Sequence, residues 1–381
     1  MHIKFKVGKF LEALDIAELT VDKKGNLDTK DIFVSAVKSE GVVYMYSTDF
    51  TNQSVTKITD ITVLEDGSLP LTSKQLYVAL SKRGMDDEVT IKNDSKGCKI
   101  SVGRSKFTLG TSNSQTLMAR LESVPMNGDV LVEISAEDLI DVFKRSKVCV
   151  STDVNNTNRS IMRGIHIKNQ DKSYVVEATD GFSGSSITLE QSKVLPEIDI
   201  IIPGEFTSIL LNLCGRAKKS KTNLQIIKTN HLYFKFDNII VSTSVMIGKF
   251  PAITQIIDMN KHPSQVDVDS TTLKSGLNRI LGFEGFSSQS ADLIGLEVRD
   301  KTLVIKAKST PDCEEVVDFG LDLTPPAYTA KVNGRRLLDI LSSSTLGTAT
   351  LGIPDVPSKP LYFEEVIPNK LTARYVIMPT R

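Results

Sequence analysis

The hydrophobic pattern of the chain changes repeatedly between alternation, which is typical of strands, and helical spacing. Met1–Lys6 alternates apolar and polar residues, and Val7–Ala17 carries apolar residues at helical spacing. The other predicted helices are Ser73–Lys82, a helix from Ser135 to about Val148, Phe206–Cys214, Thr271–Leu281 and Arg335–Leu341. Many short strands are predicted between these helices. Strands that outnumber helices, without strict alternation of the two, indicate an α+β fold.

The predicted strands are short and cover all three thirds of the chain. They are Ile32–Val37, Gly41–Tyr46, Ser54–Asp60, Glu88–Lys92, Lys99–Val102, Lys106–Leu109, Val130–Ile134, Ile161–Lys168, Tyr174–Ala178, Glu197–Ile202, Leu224–Ile227, Leu232–Phe236, Ile239–Val245, Gln265–Val268, Leu293–Val298, Leu303–Ala307 and Ala373–Met378. Their spacing predicts two helices and several strands in each third.

An internal repeat organises these elements. A strand that ends in Thr-Asp and is followed by an aromatic residue occurs at Thr48-Asp49-Phe50 and again at Thr179-Asp180-Gly181-Phe182. A strand end, a polar cap and a short apolar helix recur at Leu71, Ile202 and Val332, at steps of about 130 residues. The chain has 381 residues, so the period is close to one third of its length. We therefore predict three homologous domains, residues 1–126, 127–255 and 256–381.

Composition narrows the class of protein. Hydrophobic residues make up 40% and charged residues 24%, which predicts a soluble, core-forming chain in the cytoplasm. No apolar run reaches the ~18 residues of a membrane span, and the start of the chain lacks the apolar block of a signal peptide. The cysteines at 98, 149, 214 and 313 are scattered, as expected for buried, reduced thiols. The net charge is +0, so any nucleic acid must be bound by a local basic patch.

No catalytic set of residues assembles from the sequence. The four histidines belong to no metal-binding or nucleophile motif, and no glycine-rich phosphate loop is present. Asp49 and Asp180 fall at equivalent positions of the repeat, which favours a role in forming turns. These features predict a protein that is not an enzyme and needs no cofactor or metal.

Basic residues recur near corresponding helices. They are Lys82, Arg83, Lys144, Arg145, Lys147, Arg216, Lys218, Lys219, Lys221, Lys274, Arg279, Arg335 and Arg336. Any one cluster could be a solvated helix end, since cations are favoured near helix C-termini. Their recurrence indicates one shared basic surface, whose contacts to phosphates would carry little sequence information.

Taken in order, several motifs of the chain resemble the bacterial DNA polymerase III sliding clamp, the beta subunit. They are Gly103-Arg104-Ser105-Lys106-Phe107-Thr108-Leu109, Arg163-Gly164, Glu177-Ala178-Thr179-Asp180-Gly181, Gly248-Lys249-Phe250-Pro251 and Tyr375-Val376-Ile377-Met378-Pro379-Thr380-Arg381. The resemblance implies a homodimeric, head-to-tail ring of clamp domains that encircles double-stranded DNA, tethers a polymerase and performs no chemistry. The DNA-facing residues it implies, together with the basic clusters, are Lys23, Lys24, Lys82, Arg83, Lys144, Arg145, Lys147, Arg216, Lys218, Lys274, Arg279 and Arg335.

The resemblance also implies a groove for short peptides of the polymerase and the clamp loader. Its residues would be Met162, Thr179, Gly181, Phe182, Pro251, Ile256, Val376, Ile377, Met378 and Pro379. The family usually has His-Arg-Leu where this chain has Phe182-Ser183-Gly184, and the chain ends in Thr380-Arg381 rather than Met-Arg-Leu. These departures indicate a divergent member with its own partner set, and leave a host or a phage origin open.

For the ring interface, the resemblance implies apolar residues on two faces and opposite charges around them. Phe107 and Leu109 would meet Ile280 and Leu281, while Lys74 and Arg104 would face the acidic residues Asp312, Glu314, Glu315 and Asp318. Two other functions stay open from the sequence alone. One is a DNA-associated scaffold of the same fold that does not close, and the other is a metal-dependent nuclease that uses Asp49 and Asp180.

Overall fold

Among the described residues, the elements follow one order six times: a strand, a helix and then three strands. The computed structural model describes residues 1–22, 30–94, 97–109, 124, 128–155, 157–191, 196–257, 264–283, 293–299, 301–307, 314–318, 328–344 and 346–380. The chain divides into two compact units, Met1–Ala136 with Ser208–Val245, and Glu137–Thr207 with Met246–Arg381. They are called unit 1 and unit 2 below. The prediction of three domains is not tested by this division and stays a prediction.

The first three repeats occupy the first half of the chain, with one additional strand, β5. Their elements are β1 (His2–Lys6), α1 (Val7–Ala17), β2 (Asp31–Val37), β3 (Val42–Thr48), β4 (Asn52–Ile58), β5 (Ile61–Glu65), β6 (Gly67–Thr72), α2 (Ser73–Leu80), β7 (Glu88–Asp94), β8 (Gly97–Val102), β9 (Ser105–Leu109), β10 (Val132–Ser135), α3 (Ala136–Lys147), β11 (Gly164–Gln170), β12 (Ser173–Thr179) and β13 (Ser183–Glu190). A 3-10 helix over Thr157–Arg163 precedes β11.

The last three repeats follow the same scheme. Their elements are β14 (Asp199–Pro203), α4 (Phe206–Ser220), β15 (Asn223–Lys228), β16 (His231–Phe236), β17 (Ile239–Ser244), β18 (Ser264–Asp269), α5 (Ser270–Phe283), β19 (Leu293–Arg299), β20 (Thr302–Lys306), β21 (Glu314–Asp318), β22 (Tyr328–Asn333), α6 (Gly334–Ser343), β23 (Thr348–Ile353), β24 (Leu361–Ile367) and β25 (Leu371–Ile377). A short 3-10 helix over Ile253–Gln255 lies between β17 and β18.

Unit 1 contains two antiparallel sheets. The eight-stranded sheet has the order β10-β15-β16-β17-β4-β3-β2-β6, and the other has the order β5-β1-β7-β8-β9. The apolar face of α1 explains why this helix packs on the sheets: Phe10 and Leu14 are fully buried, and the Phe10 ring stacks on Phe5 at 4.2 Å. Buried residues of α1, α2, the five-stranded sheet and strands β2, β3, β4 and β6 form one continuous core.

Unit 2 also contains two antiparallel sheets. The eight-stranded one has the order β14-β11-β12-β13-β25-β24-β23-β18, and the four-stranded one has the order β21-β20-β19-β22. Strands β13 and β25 are aligned from Ser183 opposite Ile377 to Leu189 opposite Leu371. Asn333 is the N-cap residue of α6, because its side chain accepts a hydrogen bond from the backbone N of Arg336 at 2.9 Å.

The structure corrects several predicted elements. The predicted strand Ile161–Lys168 begins only at Gly164, because the preceding residues form the 3-10 helix. The predicted helix Phe206–Cys214 continues to Ser220, since Ala217 keeps the buried face after the sequence has turned basic. Strand β13 was not predicted, because Ser183, Ser185 and Ser186 are buried without the apolar alternation that marks a strand.

Candidate functional site

The turn between β12 and β13 is built by the side chains of Thr179 and Asp180. The Asp180 carboxylate oxygen Oδ1 accepts from the backbone N of Phe182 at 2.8 Å and of Ser183 at 2.6 Å. The Thr179 hydroxyl donates to the Ser183 carbonyl at 2.6 Å and accepts from the Gly181 N at 3.0 Å. Short polar side chains that bond their own backbone define this kind of turn. The turn leaves the Phe182 ring exposed.

The equivalent turn in unit 1 has the same construction. Asp49 Oδ1 accepts from the backbone N of Thr51 and Asn52, and the Thr48 hydroxyl donates to the Asn52 carbonyl at 2.9 Å. The residue after Asp has a positive φ in both turns, 74° at Phe50 and 85° at Gly181. Both aspartates are therefore turn formers, as the sequence predicts, and each carboxylate is engaged within its own turn.

The end of β25 runs beside the Thr179–Phe182 turn. The backbone N of Met378 donates to the Phe182 carbonyl at 2.8 Å, and the N of Thr380 donates to the Lys331 carbonyl at 2.8 Å. Met378 is exposed, whereas Pro379 and Thr380 are half-buried. Met378 is thus held against the turn, and Thr380 is held against β22.

An apolar cluster of unit 2 includes one residue predicted for the groove, Val376. Phe250, Ile253, Ile257, Tyr362 and Val376 are buried in this cluster. The Tyr362 hydroxyl donates to the carbonyl of Ile256 at 2.7 Å. The Ile256 side chain itself is 51% exposed. Unit 2 therefore holds the backbone of Ile256 rigidly while this apolar side chain remains open to solvent.

The predicted groove residues fall into two groups. Phe182, Gly181, Ile256 and Met378 are exposed, and Met162, Pro251 and Pro379 are half-buried. Thr179, Val376 and Ile377 are buried. These three side chains therefore lie beneath the surface of unit 2, and their assignment to the groove is not tested and stays a prediction.

Sequence reasoning missed two arginines at this turn, Arg159 and Arg336. The Nε of Arg336 donates to Asp180 Oδ2 at 2.7 Å, and its guanidinium lies 5.1 Å from the centre of the Phe182 ring. A Cβ placed on Gly181 would lie 3.2 Å from Nη1 of Arg159 and 3.8 Å from Sδ of Met162. The pair Arg335-Arg336 in the sequence could have pointed to Arg336, because the first turn of α6 reaches this loop.

Two titratable groups lie behind the site. Burial raises the pKa of the Cys149 thiol to about 12, and the Asp180 carboxylate adds to this effect. The thiol is therefore protonated and unreactive at neutral pH. His166 is hydrogen-bonded at both ring nitrogens, to Glu177 at 3.0 Å and to Asp199 at 2.9 Å, and its ring stacks on Phe250 at 5.1 Å.

The predicted DNA-facing residues differ in their accessibility. Lys82, Lys144, Lys147, Lys218 and Arg335 are exposed, while Arg83, Arg216 and Lys274 are half-buried. Arg83 donates to Ser105 at 3.0 Å, and Arg216 lies 3.8 Å from Asp15. Arg279 is exposed but bound in a two-pronged ion pair with Glu315. Lys23 and Lys24 lie outside the described residues.

Arg145 cannot face DNA. Its side chain is 1% exposed, and it lies 3.5 Å from Asp141 and 3.6 Å from Glu365. The reason is helical geometry, since Lys144 and Lys147 of α3 point to solvent and Arg145 falls on the opposite face.

The predicted interface residues also differ in their accessibility. Lys74, Arg104 and Glu314 are exposed and Phe107 is half-buried, whereas Asp312 lies outside the described residues. Leu109, Ile280 and Leu281 are buried in their own units, so little of their apolar surface is open in a single copy, and their assignment to the interface stays a prediction. Leu281 packs against Gly334 at the start of α6, where an added Cβ would lie 3.1 Å from Leu281 Cδ2. The apolar side chains of α5 are thus buried within unit 2.

Within the described residues, no group of His, Cys, Asp or Glu side chains is arranged to hold a metal ion. None of the helices among those residues is long and apolar enough to cross a membrane.

Comparisons with known proteins agree with this geometry. Residues 133–252 match the family described as DNA polymerase III beta subunit, central domain. The Beta sliding clamp of Mycoplasma capricolum subsp. capricolum is 24% identical over 355 residues, which cover 91% of this chain and 88% of the relative.

Solved structures match over the whole length. The DNA polymerase III subunit beta of Pseudomonas aeruginosa has a TM-score of 0.86 at 18% identity, covering 100% of both chains. The beta chain from Streptococcus pneumoniae TIGR4 has a TM-score of 0.87 at 17% identity, covering 100% of this chain and 99% of that one.

The fold is therefore that of a sliding clamp, built from repeated antiparallel sheets and few helices. In these comparisons the chain is similar to sliding clamps over most of its length, and its residues 133–252 match the central domain of the DNA polymerase III beta subunit.

Proposed function

We propose that two copies of this chain close head to tail into a ring around duplex DNA. The observation that carries the proposal is the pairing of the last strands of the six repeats, which are β4, β9, β13, β17, β21 and β25. Strand β4 pairs with β17 and β13 pairs with β25, and each pair joins two four-stranded halves into an eight-stranded sheet. Among the described residues, strands β9 and β21 remain as sheet edges. Pairing β9 of one copy with β21 of another would complete the same arrangement.

The two edges carry complementary charges. Arg104 and Lys106 are exposed at β9, whereas Glu314 and Asp318 are exposed on β21. Val316, in the middle of β21, is 53% exposed. An open edge strand with an exposed apolar residue is an aggregation hazard unless it is paired. Opposite charges on two different faces of one chain favour a heterologous contact that closes into a ring.

A closed ring also explains how a protein without net charge would hold DNA. Exposed cations such as Lys82, Lys144 and Arg335 would contact phosphates weakly and without sequence preference. The closed ring would keep the protein on the DNA, and the weak phosphate contacts would let it slide along the duplex. The protein would perform no chemistry of its own.

The groove at the Thr179–Phe182 turn would then receive peptides of the polymerase and other partners. Its exposed apolar residues are Phe182, Ile256 and Met378. Burial of a peptide Leu or Phe against them would contribute about 1.5–3 kcal/mol.

The ring is tested by a matched pair of variants. Val316→Lys places a cation opposite the basic β9 edge, and Val366→Lys introduces the same change at a 52% exposed valine of β24. In analytical ultracentrifugation, we expect the unchanged protein and Val366→Lys to sediment as dimers of about twice 41.8 kDa. Val316→Lys should sediment as a folded monomer, with unchanged circular dichroism.

A dimer that survives Val316→Lys would show that β21 is not the interface. An unchanged protein that sediments as a monomer at micromolar concentration would favour the scaffold that does not close.

A further inference from the structure

Unit 1 contains an elongated cleft that follows helix α1. One cavity of about 780 Å³ lies between α1, α4 and the turn between β16 and β17. A second cavity of about 660 Å³ lies between α1, β1, β5 and the loop at Met85. Lys9, Glu12 and Asp60 line both cavities, so the two form one continuous space, which we call the α1 cleft.

In unit 2, the chain itself occupies the corresponding place. Nζ of Lys370, in the turn between β24 and β25, lies 2.9 Å from Asp141 and 3.4 Å from Asp138 of α3. These acids lie one residue before and two residues after a buried apolar residue of α3, and Lys9 and Glu12 have the same spacing around a buried residue of α1. Strands β24 and β25 have seven residues each, whereas β16 and β17 have six. The shorter hairpin of unit 1 therefore leaves the α1 cleft open.

The α1 cleft offers apolar surface near both of its ends. At the α4 end, Leu211 and Ile239 are half-buried beside the buried ring of Phe236. At the opposite end, Met85 is 65% exposed. Each cavity alone has the size of a small-molecule site, roughly 300–1,000 Å³. Two such cavities in a row, with apolar contacts at separate points, fit an extended ligand.

Charged side chains of both signs line the α1 cleft. The acidic ones are Glu12, Asp60, Asp86, Glu88 and Asp237, and the basic ones are Lys4, Lys6, Lys9, Lys57, Arg216 and Lys219. Lys6 pairs with Asp86 at 3.0 Å and Lys9 lies 3.8 Å from Glu12, and both pairs are exposed to solvent. Exposed ion pairs contribute little to stability, so they can exchange for charges of a ligand. A nucleic acid would bring its phosphates against five carboxylates, whereas a polypeptide can present both signs of charge.

We propose that the α1 cleft is a docking site for an extended segment of a partner protein, which carries an apolar residue at each end and charged residues of both signs between them. One apolar residue would contact Leu211 and Ile239, and the other would contact Met85. The charged residues would lie along Lys9, Glu12 and Asp60. The hairpin of unit 2 supports this occupant, because there a polypeptide turn with a charged side chain already fills the equivalent place.

The first experiment selects ligands without assuming a sequence. Random dodecapeptides displayed on phage are selected against the immobilised full-length protein with the substitutions Phe182→Ala and Met378→Ala, which reduce competition from the proposed groove of unit 2. We expect the selected peptides to carry two apolar residues that flank charged residues of both signs.

The second experiment locates the binding site. The selected peptides are labelled with fluorescein and titrated by anisotropy against the same full-length protein with and without Met85→Ala or Leu211→Ala. Each of these truncations should weaken binding roughly tenfold, because it removes one buried apolar contact. Val154→Ala, which truncates a 63% exposed residue of unit 2, should leave the affinity unchanged. Thermal unfolding checks that all three variants are folded.

A competition experiment decides between a polypeptide and a nucleic acid. Unlabelled oligothymidine is added to the complex of protein and labelled peptide, and we expect the anisotropy to stay unchanged. Displacement of the peptide would assign the α1 cleft to nucleic acid and overturn the proposal. A library that yields no binding peptide, or peptides whose affinity is unaffected by both Met85→Ala and Leu211→Ala, would overturn it as well.

Discussion

At the scale of single residues, burial determines which basic side chains are open to contact DNA and which instead stabilise the fold. Arg145 and Glu365 form a buried pair in unit 2 with 1% and 3% exposed side chains. Burial raises the pKa of Glu365 even though Arg145 opposes the effect. Arg145 therefore stabilises unit 2 by compensating a buried carboxylate.

Replacing Arg145 with Met should leave Glu365 as an uncompensated buried group and lower the free energy of unfolding by about 3–5 kcal/mol. The double variant Arg145→Met with Glu365→Met should recover much of this stability, because it removes both charges. Urea denaturation followed by circular dichroism measures both values. A single variant as stable as the unchanged protein would contradict the role of the pair.

Gly181 is the second residue on which the site depends. Gly181→Ala should destabilise the protein by about 1–2 kcal/mol, since its φ of 85° is unfavourable for residues with a Cβ. The variant should also weaken peptide binding, because the added Cβ lies close to Arg159. The matched control is Gly215→Ala in α4, where nothing lies within 4 Å of the added Cβ.

Gly215→Ala should stabilise the helix by about 0.5–1 kcal/mol and leave peptide affinity unchanged. Thermal unfolding and peptide anisotropy test both variants. Equal stability of Gly181→Ala and the unchanged protein would show that the turn tolerates a side chain.

At the scale of elements, His166 ties three strands together. It lies on β11, bonds Glu177 of β12 and Asp199 of β14, and stacks on Phe250, while Lys168 of β11 lies 3.0 Å from Glu177. Burial by itself would lower the pKa of His166, but the hydrogen bonds to the two carboxylates outweigh it and the pKa is raised. Burial by itself would raise the pKa of Glu177, but the hydrogen bonds from His166 and Lys168 outweigh it and the pKa is lowered.

The direction of the His166 shift sets a pH dependence. A folded-state pKa above the ordinary 6.5 contributes stability that is fully present below pH 6.5 and disappears as the pH rises through the folded-state value. His166→Gln should therefore cost most stability near pH 5.5 to 6 and progressively less at about pH 8 to 9. Urea denaturation at several pH values measures the difference, with His231→Gln as control. A cost that does not change with pH would show that His166 is not charged in the folded protein.

At the scale of the whole molecule, the repeat explains both the order of strands in the sheets and the proposed ring. The same joining of last strands occurs once in unit 1 and once in unit 2, and the proposed interface between copies would use it again. Each helix follows a first strand and precedes three further strands. Exposed cations on several of these helices are then expected to act together, although each is individually weak.

Replacing Lys82, Lys144 and Arg335 with Ala should weaken retention on circular DNA and reduce the slope of the log–log salt dependence by about 0.9 for each phosphate that is no longer neutralised. Arg145 should contribute nothing to this slope. The measurement is clamp retention on nicked circular DNA at several salt concentrations, with Lys172→Ala as control. A slope unchanged by the triple substitution would place these residues away from DNA.

Local chemistry made much of this protein predictable from its sequence. Val7–Ala17 was predicted with the bounds it has, because apolar spacing of a helix is encoded within a few turns. The Thr-Asp turns were recognisable because Asp and Thr bond to their own backbone within four residues. The α+β class follows from the same local periodicities, although several strands, β13 among them, were not predicted from them.

Tertiary structure alone decided which predicted surfaces are open. Ile280 and Leu281 form a face that could cover a partner or a core, and packing within unit 2 resolved this in favour of the core. Arg145 is buried because Glu365, distant in sequence, supplies the opposite charge. Strand edges β9 and β21 became visible only from the sheet order. Burial and edge exposure depend on residues far apart along the chain, and no local pattern of side chains contains that information.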